Sequence, residues 1–333
     1  MRRAPAFDVT QCVRAFCARL PAFALALLAA VAWPHAALAQ ATGPVRLVVP
    51  VPAGGSLDAT ARLVAAFLAE RLNEPVQIDN RPGAATNIGT EYVVRAAPDG
   101  RTLLFGAVSL AINPSLYKLG FDPLRDLEPV AHVSSEQFLL VARGDLAAAV
   151  PADLARFAQD KPGGLNCAAP PGPMTLACEQ LKLELAGGAT VIPYAGVAPA
   201  LNALLGGHVD VAFLSVEDVL GAVRAGKLRA LANAGGPQMK SPFPDLPRLA
   251  DTWPGFVVSG LTGILAPAGT PPELIRRLNR EVNAVLANPA VRERMALGGQ
   301  IPGGGTPEQF GDLLKSRHDY YARLIRRAGI PVQ

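Results

Sequence analysis

The chain has 333 residues, half of them hydrophobic, with 31 lysines and arginines against 27 aspartates and glutamates. This length is sufficient for two domains of ordinary size. The near balance of charge provides no strong basic field of the kind that attracts nucleic acid or an anionic membrane.

The N-terminus has the three parts of a secretory signal peptide. Four arginines precede the apolar run "PAFALALLAAVAW", and Ala37–Ala39 then offers small residues before a cleavage site at Gln40. The run is shorter than the roughly 20 residues that span a bilayer, so a retained membrane anchor is the less favoured alternative. We therefore predict that residues 1–39 are a signal peptide and that the protein is periplasmic. The remaining chain holds 27 basic and 26 acidic residues and is nearly neutral.

Two cysteines lie outside the predicted signal peptide, Cys167 and Cys178. An oxidising compartment permits a disulfide between them, and two buried free thiols are the alternative. His132, His208 and His318 are scattered without ligand spacing, so we predict neither a metal site nor a metal cofactor.

From residue 45 onward, short strand-like runs alternate with helical patterns. The first series in chain order is strand "VRLVVPVP", helix 57–72, strand "VQIDN", helix 87–97 and strand "TLLFGAV". The second series is helix "PADLARFAQDK", strand "GLNCAA", helix "TLACEQLKLELAG", strand "TVIPYA", helix "APALNALLGG", strand "VDVAFLS", helix "VEDVLGAVRAG" and strand "LRALANA". "FVVSGLTGILAP" then reads as a long strand that crosses back. Two helices close the chain, with Thr270 and Thr306 as predicted capping residues.

Two αβ series joined by extended crossings predict an α/β clamshell of two lobes, each a mostly parallel sheet flanked by helices. We predict lobe 1 at residues 40–142 plus 262–333 and lobe 2 at residues 143–261. The ligand cleft is expected at the carboxyl ends of the strands, and extended hinges would allow the lobes to close.

The stretch "VPAGGSLDATAR" lies between the first strand and the first helix. It lacks the lysine of a nucleotide-binding P-loop and the third glycine of a dinucleotide-binding loop. What remains is a glycine turn feeding a helix whose first amides are unpaired, a place where an anion binds. Ser56 would cap the helix or donate to the ligand, and Asp58 suits the helix dipole. The alternative is a tight turn with an ordinary N-cap.

A second loop, "NRPGAATNIGTEYV", has only small residues at the next strand-to-helix junction. No large side chain there blocks the approach of a ligand to the backbone. Two such loops at neighbouring strand ends could bind one carboxylate from two sides.

Seven blocks in order resemble the Bug-type receptors, the extracytoplasmic solute-binding proteins of tripartite tricarboxylate transporters. The blocks are "VPVPAGGSLDATAR", "NRPGAATNIGTEYV", "APDGRTLLFG", "INPSLYKLGFDPLRDLEPV", "IPYAGVAPALNALLGGHVD", "AGKLRALA" and "APAGTPPELIRRLN". The resemblance covers the chain from about residue 44 to its end. It implies a periplasmic clamshell that captures a small carboxylate and passes it to the membrane subunits of the transporter. It also implies that the ligand is held largely through backbone groups and water.

The resemblance assigns ligand-binding residues in both lobes. Those of lobe 1 are Val51, Pro52, Ala53, Gly54, Gly55, Ser56, Asp58, Ala84, Ala85, Thr86, Asn87 and Ser109. In lobe 2 the resemblance assigns Tyr194, Gly196 and Pro199, and we add Pro171, Gly172 and Leu214 to the predicted site. Arg62 also matches, and a salt bridge on the helix flank is the favoured interpretation of it.

Lobe 2 departs from the usual pattern of the family at three positions. Thr175 stands where a histidine is common, Ala195 where a lysine is frequent, and Leu214 where a carboxylate often follows the strand. The loop in "NCAAPPGPMTLACEQL" offers few N–H donors, because its three prolines have none. These departures imply a less polar distal pocket, suited to a monocarboxylate or to a carboxylate with an apolar or aromatic tail.

Other functions are disfavoured. The chain lacks G-x-S-x-G, H-E-x-x-H and C-x-x-C, and no histidine falls in a stretch expected at the cleft, so we predict no enzyme activity and no cofactor. We interpret Glu217 and Asp218 as the solvated start of a helix. A sensor that presents its closed form to a membrane signalling protein remains the alternative to transport. We expect a monomer without a nucleic-acid partner.

Overall fold

Strands and helices alternate along the chain as the sequence predicts. The computed structural model describes residues 43–236, 243 and 245–333, so the predicted signal peptide lies outside the described residues. The strands are β1 Val45–Val49, β2 Val76–Asn80, β3 Thr102–Ala107, β4 Leu127–Arg143, β5 Leu165–Ala169, β6 Ala189–Pro193, β7 Val211–Ser215, β8 Leu228–Asn233, β9 Ser259–Pro267 and β10 Gln300–Pro302. The helices are α1 Ser56–Leu72, α2 Asn87–Val94, α3 Ser109–Leu116, α4 Asp153–Asp160, α5 Pro173–Glu184, α6 Val197–Leu205, α7 Val216–Arg224, α8 Leu249–Thr252, α9 Pro272–Ala287, α10 Pro289–Leu297 and α11 Pro307–Arg327.

The sheet contains two parallel groups of three strands. One group has the order β2-β1-β3 and the other the order β6-β5-β7. The central strands, β1 and β5, each pair in parallel with both of their neighbours. The long strands β4 and β9 join the two groups and run antiparallel to their partners. The α/β, two-lobed fold class is confirmed, and the antiparallel crossing strands make the sheet mixed where the halves meet.

Strand β4 belongs to both halves, because it changes partners along its length. Its residues up to Gln137 pair with β9, and its residues from Phe138 pair with β7. Below, the first half means β1, β2, β3, β9, β10 and β4 up to Gln137, with the helices that pack on them. The second half means β5, β6, β7, β8 and β4 from Phe138, with their helices. The predicted lobe boundaries at 142/143 and 261/262 stay predictions; the partner change lies a few residues before the first of them.

The carboxyl ends of both parallel groups meet at this crossing. Ala107, at the end of β3, pairs with Thr262, which in turn pairs with Ser134 of β4. Ser215, at the end of β7, pairs with Phe138 of β4. The carboxyl end of β3 is level with Ser134 and that of β7 with Phe138, so the two ends are four residues, or about 13 Å, apart along β4. The loops that follow the two sets of parallel strands accordingly border one cleft.

The closing helices return to the first half, as expected. Helix α11 packs over β9, and a Cβ on Gly263 would lie 2.1 Å from Cζ of Phe310, so only glycine permits this approach. Thr306 caps α11 by accepting a hydrogen bond from the amide of Gln309 at 3.3 Å, which confirms the prediction.

The predicted cap at Thr270 is wrong. Helix α9 begins at Pro272, and the hydroxyl of Thr270 donates to the carbonyl oxygen of Pro267 at 2.7 Å instead. Helices α3, α8 and α10 and strand β10 were not predicted. Asn288 and Pro289 form a recognisable start of α10, at which the Asn288 side chain accepts from an amide. Helix α2 ends at Val94, three residues before the predicted end at position 97.

A disulfide joins Cys167 of β5 to Cys178 of α5, with the two Cα atoms 5.8 Å apart. Both cysteines are fully buried in the core of the second half. The bond decides between the two alternatives that the sequence left open. No helix in residues 43–236 and 245–333 is long and apolar enough to cross a bilayer.

Candidate functional site

The loop between β1 and α1 presents free backbone amides at its end. Gly55 is the N-cap, Ser56 is the first helical residue, and the hydroxyl of Ser56 does not cap the helix. The amides of Gly55, Ser56 and Leu57 donate to no acceptor within the described residues. Residues 52–56 are exposed. Free amides at the positive end of a helix are suited to an anion.

Asp58 shapes this loop from behind. Its Oδ2 accepts from the Gly54 amide and from Nε of Arg62, both at 2.9 Å, and its Oδ1 accepts from Nδ2 of Asn80 at 2.9 Å. The hydrogen bond from Arg62 is the main reason that the pKa of Asp58 falls to about 2. The favoured interpretation of Arg62 as a salt-bridge partner is therefore confirmed.

Asp58 was predicted to contact the ligand, but its position argues against direct contact. The residue is 2% exposed, and its carboxylate oxygens already accept from loop, helix and neighbouring strand. A carboxylate has no donor to offer a second carboxylate. The residue holds the loop rather than forming its binding surface. Asn80, which sequence reasoning missed, also donates to the carbonyl oxygen of Val51 at 3.1 Å and so ties β2 to the same loop.

The loop between β2 and α2 has an unusual backbone. Ala84, Ala85 and Thr86 have φ angles of 45°, 52° and 79°, in the left-handed region that non-glycine residues rarely adopt. Three such residues in a row store strain of the kind found at ligand clamps. These residues form a 3₁₀ turn, and their amides donate to no acceptor outside it in the described part of the chain, so this loop also offers N–H groups to a ligand.

Helix α3 holds this strained loop in place. Nδ2 of the buried Asn113 donates to the carbonyl oxygen of Ala85 at 2.7 Å and to Oδ1 of Asn87 at 2.8 Å. Oγ1 of Thr86 donates to Oγ of Ser109 at 2.8 Å. The structure thus brings the predicted residues of the second loop together with Ser109 at the third strand end. Asn113 lies inside a quoted block, but no local pattern marks it as a support.

The three loops of the first half follow adjacent parallel strands, since the strand order is β2-β1-β3. Their carboxyl ends lie at one edge of the sheet, with the β1 loop in the middle. The free amides of residues 55–57 and of residues 84–86 therefore lie on neighbouring loops. We call these six amides the amide cradle.

In the second half, the loop after β5 is short and tightly fixed. Gly172 has a φ of 90° and is the N-cap of α5, which starts at Pro173. Oγ1 of Thr175 donates back to the carbonyl oxygen of Pro170 at 2.7 Å. Pro171 and Gly172 are exposed, and the disulfide flanks the loop on both sides.

The loop after β6 contains three of the predicted residues. The amide of Tyr194 donates to the carbonyl oxygen of Ala169 at 3.1 Å, and its ring is half-buried. Gly196 is the N-cap of α6, and Pro199 is exposed in the first turn of that helix. This loop lies beside the Pro171 loop because β6 pairs with β5.

Leu214 does not line the cleft. Its side chain is 0% exposed and packs in the core of the second half. The next residue, Ser215, ends β7, and its hydroxyl accepts from the amide of Asp218 at 3.2 Å as the cap of α7. Successive residues of a strand point to opposite sides of the sheet. The sequence alone therefore did not show whether Leu214 or Ser215 points toward the cleft.

Acidic groups gather where α7 meets the crossing strands. Glu217 and Asp218 are exposed in the first turn of α7, as predicted. Burial, followed by the nearby charges of Asp218 and Glu217, raises the pKa of Glu136 on β4 to about 7. Glu217 and Ser56 line the same cavity of about 160 Å³ between the two halves.

Comparisons with known proteins agree with this arrangement. Residues 60–330 match the sequence pattern of a protein family described as the tripartite tricarboxylate transporter family receptor. Protein BugT of Bordetella pertussis is 34% identical over 311 residues, which cover 90% of this chain and 94% of that protein.

Two solved structures are similar over their whole length. The periplasmic binding protein BugD is 32% identical with a TM-score of 0.71, and the match covers 87% of this chain and 99% of that one. Rpa4515 of R. palustris, solved with adipate, is 30% identical with a TM-score of 0.74, and the match covers 90% of this chain and 100% of that one. These relatives are solute-binding proteins and not enzymes. The chain therefore belongs to the receptor family of the tripartite tricarboxylate transporters, whose members are two-lobed periplasmic solute-binding proteins.

Proposed function

We propose that this protein captures a small carboxylate in the periplasm between its two halves and delivers it to the membrane subunits of a tripartite transporter. The observation that carries the proposal is the amide cradle, six free backbone N–H groups on two neighbouring loops. Hydrogen bonds from N–H groups to an ionised acceptor are stronger than those between neutral groups. A carboxylate is an anion that N–H donors of this kind can bind, and the family is named for the transport of tricarboxylates.

The ligand is proposed to lie between the predicted loop residues of the two halves. On the first half these are Val51, Pro52, Ala53, Gly54, Gly55, Ser56, Ala84, Ala85, Thr86, Asn87 and Ser109. On the second half they are Pro171, Gly172, Tyr194, Gly196 and Pro199. Asp58 and Leu214 are left out as contacts because their side chains are buried.

Closure of the halves would follow from the crossing strands. Each half has its own core, and β4 and β9 connect them as continuous strands. Extended strands of this kind can bend without losing the register of the two halves. A ligand that contacts both halves stabilises the closed form by its differential affinity for that form. The similar protein solved with adipate supports a carboxylate as that ligand.

A charge-insertion variant tests the cradle. Gly55 has an ordinary backbone conformation, and a Cβ placed there would meet nothing within 4 Å. Gly55→Glu should therefore fold normally and place a carboxylate where the ligand carboxylate is proposed to bind. A thermal-shift screen of carboxylates on the protein from a periplasmic extract supplies the readout. A ligand at 100 times its Kd adds about 2.7 kcal/mol to the stability of the native protein, and Gly55→Glu should remove this gain.

The matched control is Ala152→Glu, which adds the same charge at the exposed start of α4, beyond the far end of β4. It should leave the ligand-induced shift unchanged. Retention of the full shift in Gly55→Glu would contradict the cradle. Delivery to a transporter is tested separately: deletion of the gene should abolish uptake of the identified ligand, whereas unchanged uptake together with loss of a transcriptional response would favour the sensor alternative.

A further inference from the structure

Two arginines next to the amide cradle, Arg62 and Arg81, already pair with carboxylates. Arg62 donates to Asp58 at 2.9 Å and to Oδ1 of Asn80 at 3.1 Å. Arg81 donates to Asp79 at 2.9 Å, and its guanidinium lies 3.5 Å from the centroid of the Tyr92 ring. Each of these two arginines therefore already has a carboxylate partner.

The loops of the second half that border the cleft supply no positive charge at all. Residues 170–175, 193–199 and 214–218 contain no lysine, arginine or histidine. Their ionisable acids are Glu217 and Asp218, both exposed at the start of α7. The hydroxyl of Ser215 bonds to the carboxylate of Asp218 at 2.5 Å and is therefore already occupied.

These acids act on the interior of the cleft. Glu217 lines the cavity that also contains Ser56, next to the amide cradle. Burial first, and after it the charges of Asp218 and Glu217, raises the pKa of Glu136, so these two charges add to the cost of a further negative charge beside them. Arg294 of α10 borders the same cavity from the first half.

The loop after β5 cannot rearrange easily to supply missing donors. Three of its four residues from Pro170 to Pro173 are prolines, which have no N–H. The Thr175 hydroxyl already donates to the Pro170 carbonyl oxygen, and the disulfide fixes both flanks of the loop. The free donors at this wall are the amide of Gly172 and the first amides of α5.

We infer that the ligand of this protein carries a single negative charge, the carboxylate in the amide cradle, and that the part of the ligand facing the second half carries no second carboxylate. This inference rests on the proposed function and narrows it to monocarboxylates. A second carboxylate at the second-half loops would meet Glu217 and Asp218, and those loops supply no cation to compensate the loss of hydration. Adipate, the dicarboxylate bound in a similar protein, falls outside this class.

Matched pairs of acids test the inference. Hexanoate and adipate, butyrate and succinate, and benzoate and terephthalate differ within each pair by one carboxylate. Titration calorimetry of the protein from a periplasmic extract at pH 7.5 gives both affinities for each pair. We expect the monocarboxylate of any pair that binds to be favoured by about tenfold or more. Equal or tighter binding of the dicarboxylate would overturn the inference and leave the proposed function intact, whereas no binding of any acid would contradict the proposed function itself.

A variant identifies the source of the preference. Glu217→Gln removes one negative charge from the cleft wall and should narrow the ratio of the two affinities about threefold, as expected for one charge roughly 10 Å away at a partly hydrated site. Glu128→Gln is the matched control, since Glu128 is exposed near the first-half end of β4. An unchanged ratio in Glu217→Gln, or the same change in both variants, would contradict the role assigned to the acids.

Discussion

Nδ2 of Asn113 lies 2.7 Å from the main-chain oxygen of Ala85, and this contact fixes a loop whose backbone is strained. The three residues 84–86 all have positive φ angles, and none is glycine. Such a conformation persists only when surrounding groups over-determine it. Asn113, 5% exposed on α3, provides that support from the helix that follows β3, two strands away in the sheet, and leaves the amides of the loop free.

Replacing Asn113 with alanine should reduce both stability and binding. The change leaves the Ala85 oxygen without its donor, so the free energy of unfolding should fall by about 2 kcal/mol. Relaxation of the loop should also weaken carboxylate binding by about tenfold. Urea unfolding and titration calorimetry measure the two effects.

Asn279→Ala is the control for this experiment. The Asn279 side chain donates to the carbonyl oxygens of Val130 and Gly305 at 2.8 and 3.0 Å, so its removal costs a similar number of hydrogen bonds away from the cleft. We expect a similar loss of stability with unchanged affinity. Equal affinities in the two variants would show that Asn113 does not support the ligand loop.

Acid should remove the contribution of Asp58 to stability. The folded-state pKa of Asp58 is about 2, below its ordinary value of 3.8, so the unfolded chain binds the proton first as the pH falls. The stabilisation, about 2 kcal/mol, is complete above about pH 5 and is lost as the pH falls through 3.8 toward 2. The stability difference between wild type and Asp58→Asn, measured by urea unfolding between pH 6 and pH 2, should shrink over this interval. A difference that stays constant would argue against a depressed pKa.

Glu136 should have the opposite dependence. Its folded-state pKa of about 7 lies above the ordinary 4.5, so the native protein holds this proton after the unfolded chain has lost it. Wild-type stability should therefore decline relative to Glu136→Gln as the pH rises from about 4.5 to 7, by about 3 kcal/mol in all. At pH 4 the two proteins should have similar stability. Equal stability of both proteins at pH 8 would mean that burial and the neighbouring charges do not raise the pKa of Glu136.

Loss of the disulfide should destabilise the second half. Cys167 and Cys178 are 11 residues apart, and closing a ring of this size in the unfolded chain is worth about 3 kcal/mol in the chain-entropy model. The double variant Cys167→Ala/Cys178→Ala should unfold at a correspondingly lower urea concentration, with or without reductant. Wild type should match it only after reduction in denaturant. A wild type that contains two free thiols when denatured without reductant would rule out the bond.

The alternation of strands and helices could be predicted from sequence because apolar runs and helical periods are local. Leu68 and Leu72, for example, recur at helical spacing and are buried on one face of α1. The single long β4 was harder to predict, because it changes partners midway and lies in the sheets of both halves. That property depends on strands far away in sequence.

The site was predictable only in outline. Two loops of small residues at neighbouring strand ends indicated backbone recognition of an anion, and the structure places free amides on both. Asp58 has the same local sequence whether it faces a ligand or folds back onto Gly54, so only the structure distinguishes the two. Leu214 and Ser215 differ by one strand position, which reverses the side of the sheet that each side chain faces.

A crystal structure of the protein with hexanoate tests the central claim most directly. We expect both carboxylate oxygens within about 3.2 Å of the amides of residues 55–57 and 84–86, or one ordered water away from them. A carboxylate found outside these two loops, or bound only by an arginine or lysine side chain, would contradict the account.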